Sequence, residues 1–202
     1  IIDVNSPSSD IKKILSKITG EGFEAQHIPV ENINDSKSNM STTMASIRSS
    51  FNHAKKCEDL IYFVEDDYIH KTEALSEMLF AYEKFSSILE SEIFILSSDY
   101  PYLYKKMNNS SILIGENIHW RTVKESLLTF MTSKKMIEKY FEKLIDMATN
   151  QNNPFEKNLH EIYEKEECFS PIPSLSIHCT NINSVFGLSP NINLKKLWDE
   201  NS

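Results

Sequence analysis

Hydrophobic positions along the chain alternate between helical spacing and short continuous runs. In five stretches apolar residues recur every three or four positions, and each stretch predicts a helix with one buried face. The buried faces are Ile11, Ile14, Leu15 and Ile18; Met44, Ile47 and Phe51; Leu75, Met78, Leu79, Tyr82 and Phe85; Met136, Ile137, Tyr140, Phe141 and Leu144; and Phe155, Leu159 and Ile162. Gly20 predicts the end of the first helix, Thr72 is expected to cap the third, and the fourth is expected to start after Ser133.

Short runs rich in β-branched and aromatic residues lie between these helices and have the length of strands. The runs are IIDVN, FEAQHIPV, LIYFV, IFIL, SILI and LLTFM. Because strands and helices alternate, the pattern predicts an α/β domain with a mostly parallel central sheet flanked by helices. We expect one domain over residues 1–202. In such sheets ligands bind at the carboxyl ends of the strands.

Composition excludes several classes of protein. The formal net charge of -8 disfavours binding to nucleic acid or to an anionic membrane, since both surfaces are negative. The four glycines cannot build a Walker phosphate loop or a dinucleotide fingerprint. The three cysteines are far apart and form no Cys-x-x-Cys pair, so a disulfide framework or structural zinc site is not indicated.

The chain has no apolar run that approaches the roughly 20 residues of a membrane-spanning helix. No secretory signal precedes the first predicted helix. Together with the cysteine usage, this predicts a protein of a reducing compartment. We therefore expect it in the cytoplasm, either free or peripheral to the membrane, without a transmembrane segment.

Three adjacent acids follow the strand predicted at Leu60 to Val64: Glu65, Asp66 and Asp67. Like charges side by side repel, so their clustering at a strand end indicates a positive ligand. Carboxylate oxygens suit Mg²⁺ or Mn²⁺, whose open positions phosphates and water can fill. Such a metal would allow a negative protein to hold a diphosphate. The alternative interpretation is a solvated loop, where acids are common.

The segment YFVEDDYIHKTEALSEML resembles the acidic-motif segment of GT-A glycosyltransferases, in which a strand ends in an Asp-x-Asp or Glu-Asp-Asp signature. In particular it is similar to the Glu-Asp-Asp segment of the inverting N-acetylglucosaminyltransferases that initiate complex N-glycans. The resemblance implies a GT-A-like, Rossmann-like fold. It also implies that Asp67 contacts the metal, while Glu65 and Asp66 face the nucleoside.

Two earlier segments extend this resemblance. IIDVNSPSSD is similar to the second strand of the large inverting GT-A family that includes cellulose and chitin synthases, where a strand-end aspartate, here Asp3, contacts the base. NMSTTMASIRSSFNHAKK resembles the Asn-x-Gly...Arg-Asn-x-Gly...Ala segment before the metal motif, with Arg48 at the arginine position and Ser41 and Ser50 in place of the glycines. The resemblance implies that Asp3 and Arg48 bind nucleotide and that the family's first strand lies upstream of Ile1.

The C-terminal half contains the remaining candidates. In GT-A enzymes a late histidine often completes the metal site, and His178 in PIPSLSIHCTN takes that position. An imidazole ligand favours Mn²⁺ over Mg²⁺. Inverting transfer also needs a general base. Glu156, near the start of the fifth helix, matches the family's base, and Glu161 is the competing candidate.

Each of these residues also has a structural interpretation. His178 could be a core or surface histidine, and Glu156 could be an acid that the helix dipole favours at an N-terminus. Trp120, beside His119 and Arg121, is either a platform on which a sugar stacks or a buried core residue.

The sequence therefore predicts a metal-dependent, inverting glycosyltransferase. Its partners would be a nucleotide-diphospho-sugar donor and a glycan or other hydroxyl acceptor. We expect residues 1–100 to bind the nucleotide-sugar and residues 101–202 to bind the acceptor. A nucleotidyltransferase of related fold and a non-catalytic module that binds sugar or nucleotide are the alternatives.

Overall fold

The computed structural model of the protein describes residues 1–3, 6–30, 39–105, 107, 109–180 and 182–201. These residues form an α/β fold. The helices are α1 (Ser8–Gly20), α2 (Asn39–Ala54), α3 (Ala74–Leu89), α4 (Lys134–Lys139), α5 (Phe141–Met147), α6 (Lys157–Tyr163) and α7 (Leu194–Glu200), with a 3-10 helix over Pro101–Tyr104. The strands are β1 (Ile2–Asp3), β2 (Ile28–Pro29), β3 (Leu60–Phe63), β4 (Tyr68–His70), β5 (Phe94–Leu96), β6 (Ile112–Ile114), β7 (His119–Thr122), β8 (Phe130–Ser133), β9 (Cys168–Ile172) and β10 (Ser176–His178).

Six strands form the central sheet in the order β3-β8-β5-β9-β7-β6. The ladder between β5 and β9 is parallel, with Phe94 opposite Cys168. The ladders β3–β8, β5–β8, β7–β9 and β6–β7 are antiparallel. The sheet is thus mixed, and the prediction of a mostly parallel sheet is corrected.

Connection length explains the antiparallel pairing of β6 with β7. A crossover between parallel strands needs a dozen or more residues, usually with a helix. The turn at residues 115–118 joins β6 to β7 as a hairpin and is too short for such a crossover.

The core lies on both faces of this sheet, because successive strand residues point to opposite faces. Phe94, Leu96 and Phe130 pack with α2 and α4 to α6 on one face. Ile95 and Met131 pack with α3 on the other. All five side chains are almost completely buried. Burial on both faces of the sheet holds the carboxyl end of β3 in place, and the three acids come after that end.

Two small sheets complete the fold. β1 and β2 pair in parallel, with Asp3 opposite Pro29. β4 and β10 pair antiparallel, with Tyr68 directly opposite His178. The second pairing brings the segment after the acids beside the C-terminal part of the chain.

Helix α3 buries a different face from the predicted one. Met78, Tyr82 and Phe85 are buried as expected, but Leu75 and Leu79 are exposed. Glu77 is buried instead, because its carboxylate accepts hydrogen bonds from donors in the β6–β7 turn and from Trp120 Nε1. The helix also starts at Ala74 after Glu73, not after Thr72.

The helix predicted after Ser133 is divided in two. Ser133 Oγ accepts a hydrogen bond from the Met136 backbone N–H at 3.3 Å. This bond caps the N-terminus of α4, as expected for a helix that starts after Ser133. The helix then breaks at Tyr140, and α5 begins at Phe141.

Candidate functional site

The acidic loop connects β3 to β4 and brings Asp67 to His178. The short β4–β10 ladder places His178 opposite Tyr68, the residue after Asp67. The backbone N–H of Cys179 donates to the Asp67 carbonyl at 2.7 Å, which extends this pairing. As a result Asp67 Oδ2 lies 2.8 Å from His178 Nε2. Two residues 111 positions apart in the sequence, both predicted as metal ligands, are therefore in direct contact.

The His178 ring is held at the edge of the core. It packs against the Tyr68 ring with the centroids 5.0 Å apart. Its Nδ1 atom is buried and has no hydrogen-bond partner among the described residues. A buried, unpartnered ring nitrogen is unusual, since buried polar groups nearly always have a partner.

Glu65 occupies a more buried position than its neighbours in the loop. Thr129 Oγ1 donates to Glu65 Oε2 at 3.4 Å and also accepts from the Glu65 backbone N–H at 3.2 Å. Burial raises the pKa of Glu65 to about 7, and the negative charges of Asp67, Glu156 and Asp66 contribute in the same direction. Near neutral pH this carboxyl therefore holds a proton part of the time.

Glu65 and His178 line a cavity of about 470 Å³, which we call the acidic cavity. Glu156 lies on the same wall, at the N-cap position of α6. Burial raises the pKa of Glu156 as well. The cavity is large enough for a small-molecule ligand. The structure thus brings together Glu65, Glu156 and His178, with Asp67 bonded to His178.

Asp3 and Asp66 are both accessible to a ligand to some degree. Asp3 ends β1 and accepts hydrogen bonds from the backbone N–H and the hydroxyl of Ser6, while His27 Nε2 lies 3.4 Å from its carboxylate. The Ser6 hydroxyl is the main cause of a lowered Asp3 pKa. Asp66 is exposed on the acidic loop. Nucleotide binding by these two residues stays a prediction.

Arg48 and Glu161 are engaged by other parts of the protein. One Arg48 amino group donates to the Ala148 carbonyl at 3.1 Å, at the C-terminal end of α5, where carbonyl groups lack helical partners. Glu161 forms ion pairs with Lys143 and, at 3.9 Å, with Lys157. Glu156, by contrast, lines the acidic cavity, so the geometry favours Glu156 over Glu161 as the base.

Trp120 belongs to the core. It is completely buried, and its indole N–H donates to Glu77 Oε1 at 3.2 Å. The interpretation of Trp120 as a stacking platform therefore does not apply, because no sugar could reach its ring.

Sequence reasoning did not assign the other lining residues of the acidic cavity to the site, among them Tyr102, Glu125, His160 and Phe186. His160 lies one helical turn after Glu156, and its Nε2 atom is 3.0 Å from the Ser126 carbonyl oxygen. Helical spacing from Glu156 could have indicated His160. Glu125 and Phe186 lie outside any helix or strand, so no periodic pattern marks them.

A metal would have few protein ligands at this site. Among the described residues, no group of three His, Cys, Asp or Glu side chains is arranged to hold a metal ion. Asp67 and His178 supply one oxygen and one nitrogen ligand, which is compatible with Mg²⁺ or Mn²⁺ because these ions often take their remaining ligands from substrate phosphates and water. The ring nitrogen that faces Asp67 is Nε2, so Nε2 and not the buried Nδ1 would bind the metal.

No protein-family model matches the chain, and no curated protein matches it. Among the residues that the structure describes, no helix combines the length and the apolar character needed to cross a bilayer.

Proposed function

We propose that the protein is a metal-dependent glycosyltransferase that moves a sugar from a nucleotide-diphosphate donor to a hydroxyl acceptor with inversion. The observation that carries the proposal is the contact between Asp67 and His178 at the rim of a cavity that also contains Glu65 and Glu156. This arrangement combines a two-residue oxygen and nitrogen ligand set with a separate carboxylate. Metal-dependent transfer from a diphosphate needs both parts.

Asp67 and His178 would hold Mn²⁺ or Mg²⁺, and the bound ion would neutralise the diphosphate leaving group. Glu65 and Asp66 lie beside this pair and Asp3 lies on β1, and we propose that they contact the nucleotide. We assign the same role to Arg48, whose described hydrogen bond uses one amino group. The overall net charge of -8 favours a cation at this site, since the cation would offset the repulsion between the protein and a diphosphate.

Glu156 would remove the proton from the attacking acceptor hydroxyl. A general base works best when its pKa is close to the operating pH. Burial moves the pKa of Glu156 upward, towards that range. Its position at the start of α6 leaves the carboxylate facing the acidic cavity. The hydroxyl would then attack the anomeric carbon from the side opposite the leaving nucleotide, which inverts the configuration.

A metal-independent module that binds sugar or nucleotide is the second candidate. The direct 2.8 Å contact between Asp67 and His178 favours it, because a hydrogen bond between Asp67 Oδ2 and His178 Nε2 occupies both atoms without a metal. Such a module would bind its ligand in the acidic cavity without catalysing a reaction.

Calorimetry with UDP and UDP-sugars, in the presence and absence of Mn²⁺, tests the proposal. Binding that requires Mn²⁺, followed by sugar release or transfer, supports the glycosyltransferase. Binding that is the same with and without Mn²⁺ supports the module. Absence of nucleotide binding under both conditions contradicts the glycosyltransferase and the nucleotide-binding form of the module.

A further inference from the structure

A second cavity of about 560 Å³ adjoins the acidic cavity. The two share three lining residues, Tyr102, Glu125 and Phe186. Their common wall is therefore an aromatic pair with one carboxylate beside it. Cavities that share a wall can hold two ligands within reach of each other, which is what a transfer reaction needs.

The aromatic pair is held in place by backbone and ring contacts. The Tyr102 N–H donates to the Val185 carbonyl at 3.0 Å, which joins the 3-10 helix to the segment that carries Phe186. The Tyr102 and Phe186 ring centroids are 5.1 Å apart, and Tyr102 also stacks on Tyr100. Phe186 is 39% exposed, so part of its ring is available to a ligand. A partly exposed aromatic ring in a cavity offers a flat apolar surface.

The second cavity carries charges of both signs in nearly equal number. Its cations are Lys105, Arg121 and Lys124, and its acids are Glu125 and Glu164. The Arg121 charge is already matched by Asp99, with Arg121 Nη2 2.7 Å from Asp99 Oδ1. Lys124 Nζ donates to the Tyr163 carbonyl at 2.5 Å. The described residues that line this cavity therefore carry no surplus of positive charge for an anion, and no surplus of negative charge for a cation.

Interleaved donors and acceptors of this kind match the hydroxyl groups of a sugar. Each hydroxyl can donate one hydrogen bond and accept two, so it pairs equally well with Lys or Arg and with Glu. Asn109, Ser110 and Thr122 add uncharged polar groups to the same wall. The apolar side chains of Leu103 and Val185 add surface suited to the C–H face of a pyranose ring.

We infer that the second cavity is the acceptor subsite and that it takes a neutral oligosaccharide, whose terminal ring packs on the Tyr102–Phe186 wall facing Glu156 in the acidic cavity. This inference rests on the proposed function, because it assigns the acceptor of that reaction. It adds the chemical class of the acceptor and the residues that select it.

The test measures binding of maltotriose and N,N′,N″-triacetylchitotriose, with trigalacturonate as the anionic comparison, by saturation-transfer NMR and calorimetry. At least one neutral trisaccharide is expected to bind, and to bind more tightly than trigalacturonate. Phe186→Ala should weaken that binding by about tenfold, the effect of losing one aromatic packing contact. Phe23→Ala is the matched control, since Phe23 is 69% exposed and lines neither cavity.

A second measurement separates this inference from the proposed function. Saturating UDP with Mn²⁺ should leave the trisaccharide affinity unchanged, because the two ligands occupy different cavities. Competition between them overturns the inference, as does equal or tighter binding of trigalacturonate or equal effects of Phe186→Ala and Phe23→Ala. Intact UDP–Mn²⁺ binding without trisaccharide binding overturns the inference alone. Failure of UDP–Mn²⁺ to bind overturns the proposed function, and with it the assignment of an acceptor.

Discussion

At the scale of single residues, Asp67 and His178 form the contact on which metal binding depends. Asp67→Ala removes the oxygen ligand and leaves His178 alone, and a single protein ligand is insufficient to hold Mn²⁺. We expect metal-dependent UDP binding to fall by at least roughly 100-fold, the order of effect seen when a metal site is disrupted. Calorimetry measures this loss.

The control for Asp67→Ala is Asp199→Ala, which removes an equal charge from an exposed position on α7. It should leave UDP–Mn²⁺ binding unchanged. Circular dichroism should show native helix content for both variants, because neither side chain is fully buried. Unchanged Mn²⁺ dependence in Asp67→Ala would exclude Asp67 as a ligand.

Glu156 and Glu161 form a matched pair of acids at α6. Glu156→Gln keeps the shape of the side chain but removes its capacity to accept a proton, so transfer should slow by about 10²- to 10⁴-fold while donor binding stays intact. Glu161→Gln should transfer at the wild-type rate, because Glu161 is paired with lysines outside the acidic cavity. Steady-state kinetics measures the rate of transfer, and calorimetry measures donor binding. Full activity of Glu156→Gln would move the base to Glu125, which also faces the cavity.

At the scale of elements, the turn between β6 and β7 is locked against α3. An added Cβ at Gly115 would overlap Glu77 Oε1 and the Trp120 indole ring, and both groups are buried and hydrogen-bonded to each other. Gly115→Ala should therefore lower the free energy of unfolding by about 1–3 kcal/mol, the usual cost of overpacking a core. Urea denaturation provides the measurement.

Gly20 provides the comparison for Gly115. A Cβ at Gly20 meets no atom within 4 Å, and the residue is the last of α1. Gly20→Ala should be neutral or slightly stabilising, since alanine favours helix over glycine. Equal urea midpoints for Gly115→Ala and wild type would show that the turn can shift away from Glu77.

The same element shows why the sequence predicts only part of the fold. Helical spacing identifies α3, but it treats Leu75 and Leu79 as buried because they are apolar. Their exposure follows from Glu77, whose carboxylate finds its donors in a turn some 40 residues later, and spacing within one helix does not contain that partner.

Strand directions are missed for a related reason. The antiparallel pairing of β8 with β3 and β5 joins residues that are far apart in the sequence. The apolar pattern of one run contains no information about its partner strand.

The candidate site, like the fold, is predicted only in part from the sequence. The charge cluster at Glu65 to Asp67 stands out in the sequence because adjacent acids are costly. Glu125 and Phe186 carry no such local signal, and the cavity that they line exists only after the 3-10 helix packs against the segment near Val185. Residues made important by tertiary packing alone are therefore the ones that the sequence does not reveal.

At the scale of the whole molecule, stability should depend on pH through His70. This residue lies in β4, with Nε2 2.6 Å from the Tyr62 hydroxyl, and burial lowers the pKa of His70 to about 4. The unfolded chain has a histidine pKa of about 6.5. Between these values the unfolded state binds more protons than the native state, so stability rises with pH across this window and is lost as pH falls from about 6.5 to about 4. The loss should approach roughly 3 kcal/mol.

The test compares His70→Gln with wild type, because the difference cancels titrations elsewhere, including the opposing one of Glu65. The stability of wild type relative to His70→Gln should fall by this amount between pH 7 and pH 4 in urea titrations. Tyr62→Phe separates the effect of the hydrogen bond on His70 from the effect of burial, because it removes the hydroxyl but keeps the ring. Since burial causes the lowered pKa of His70, the pH dependence of stability should persist in this variant. A difference between wild type and His70→Gln that stays constant with pH would show that His70 charges as readily in the folded protein as in the unfolded chain. The end of β4 at His70 would then be open to water.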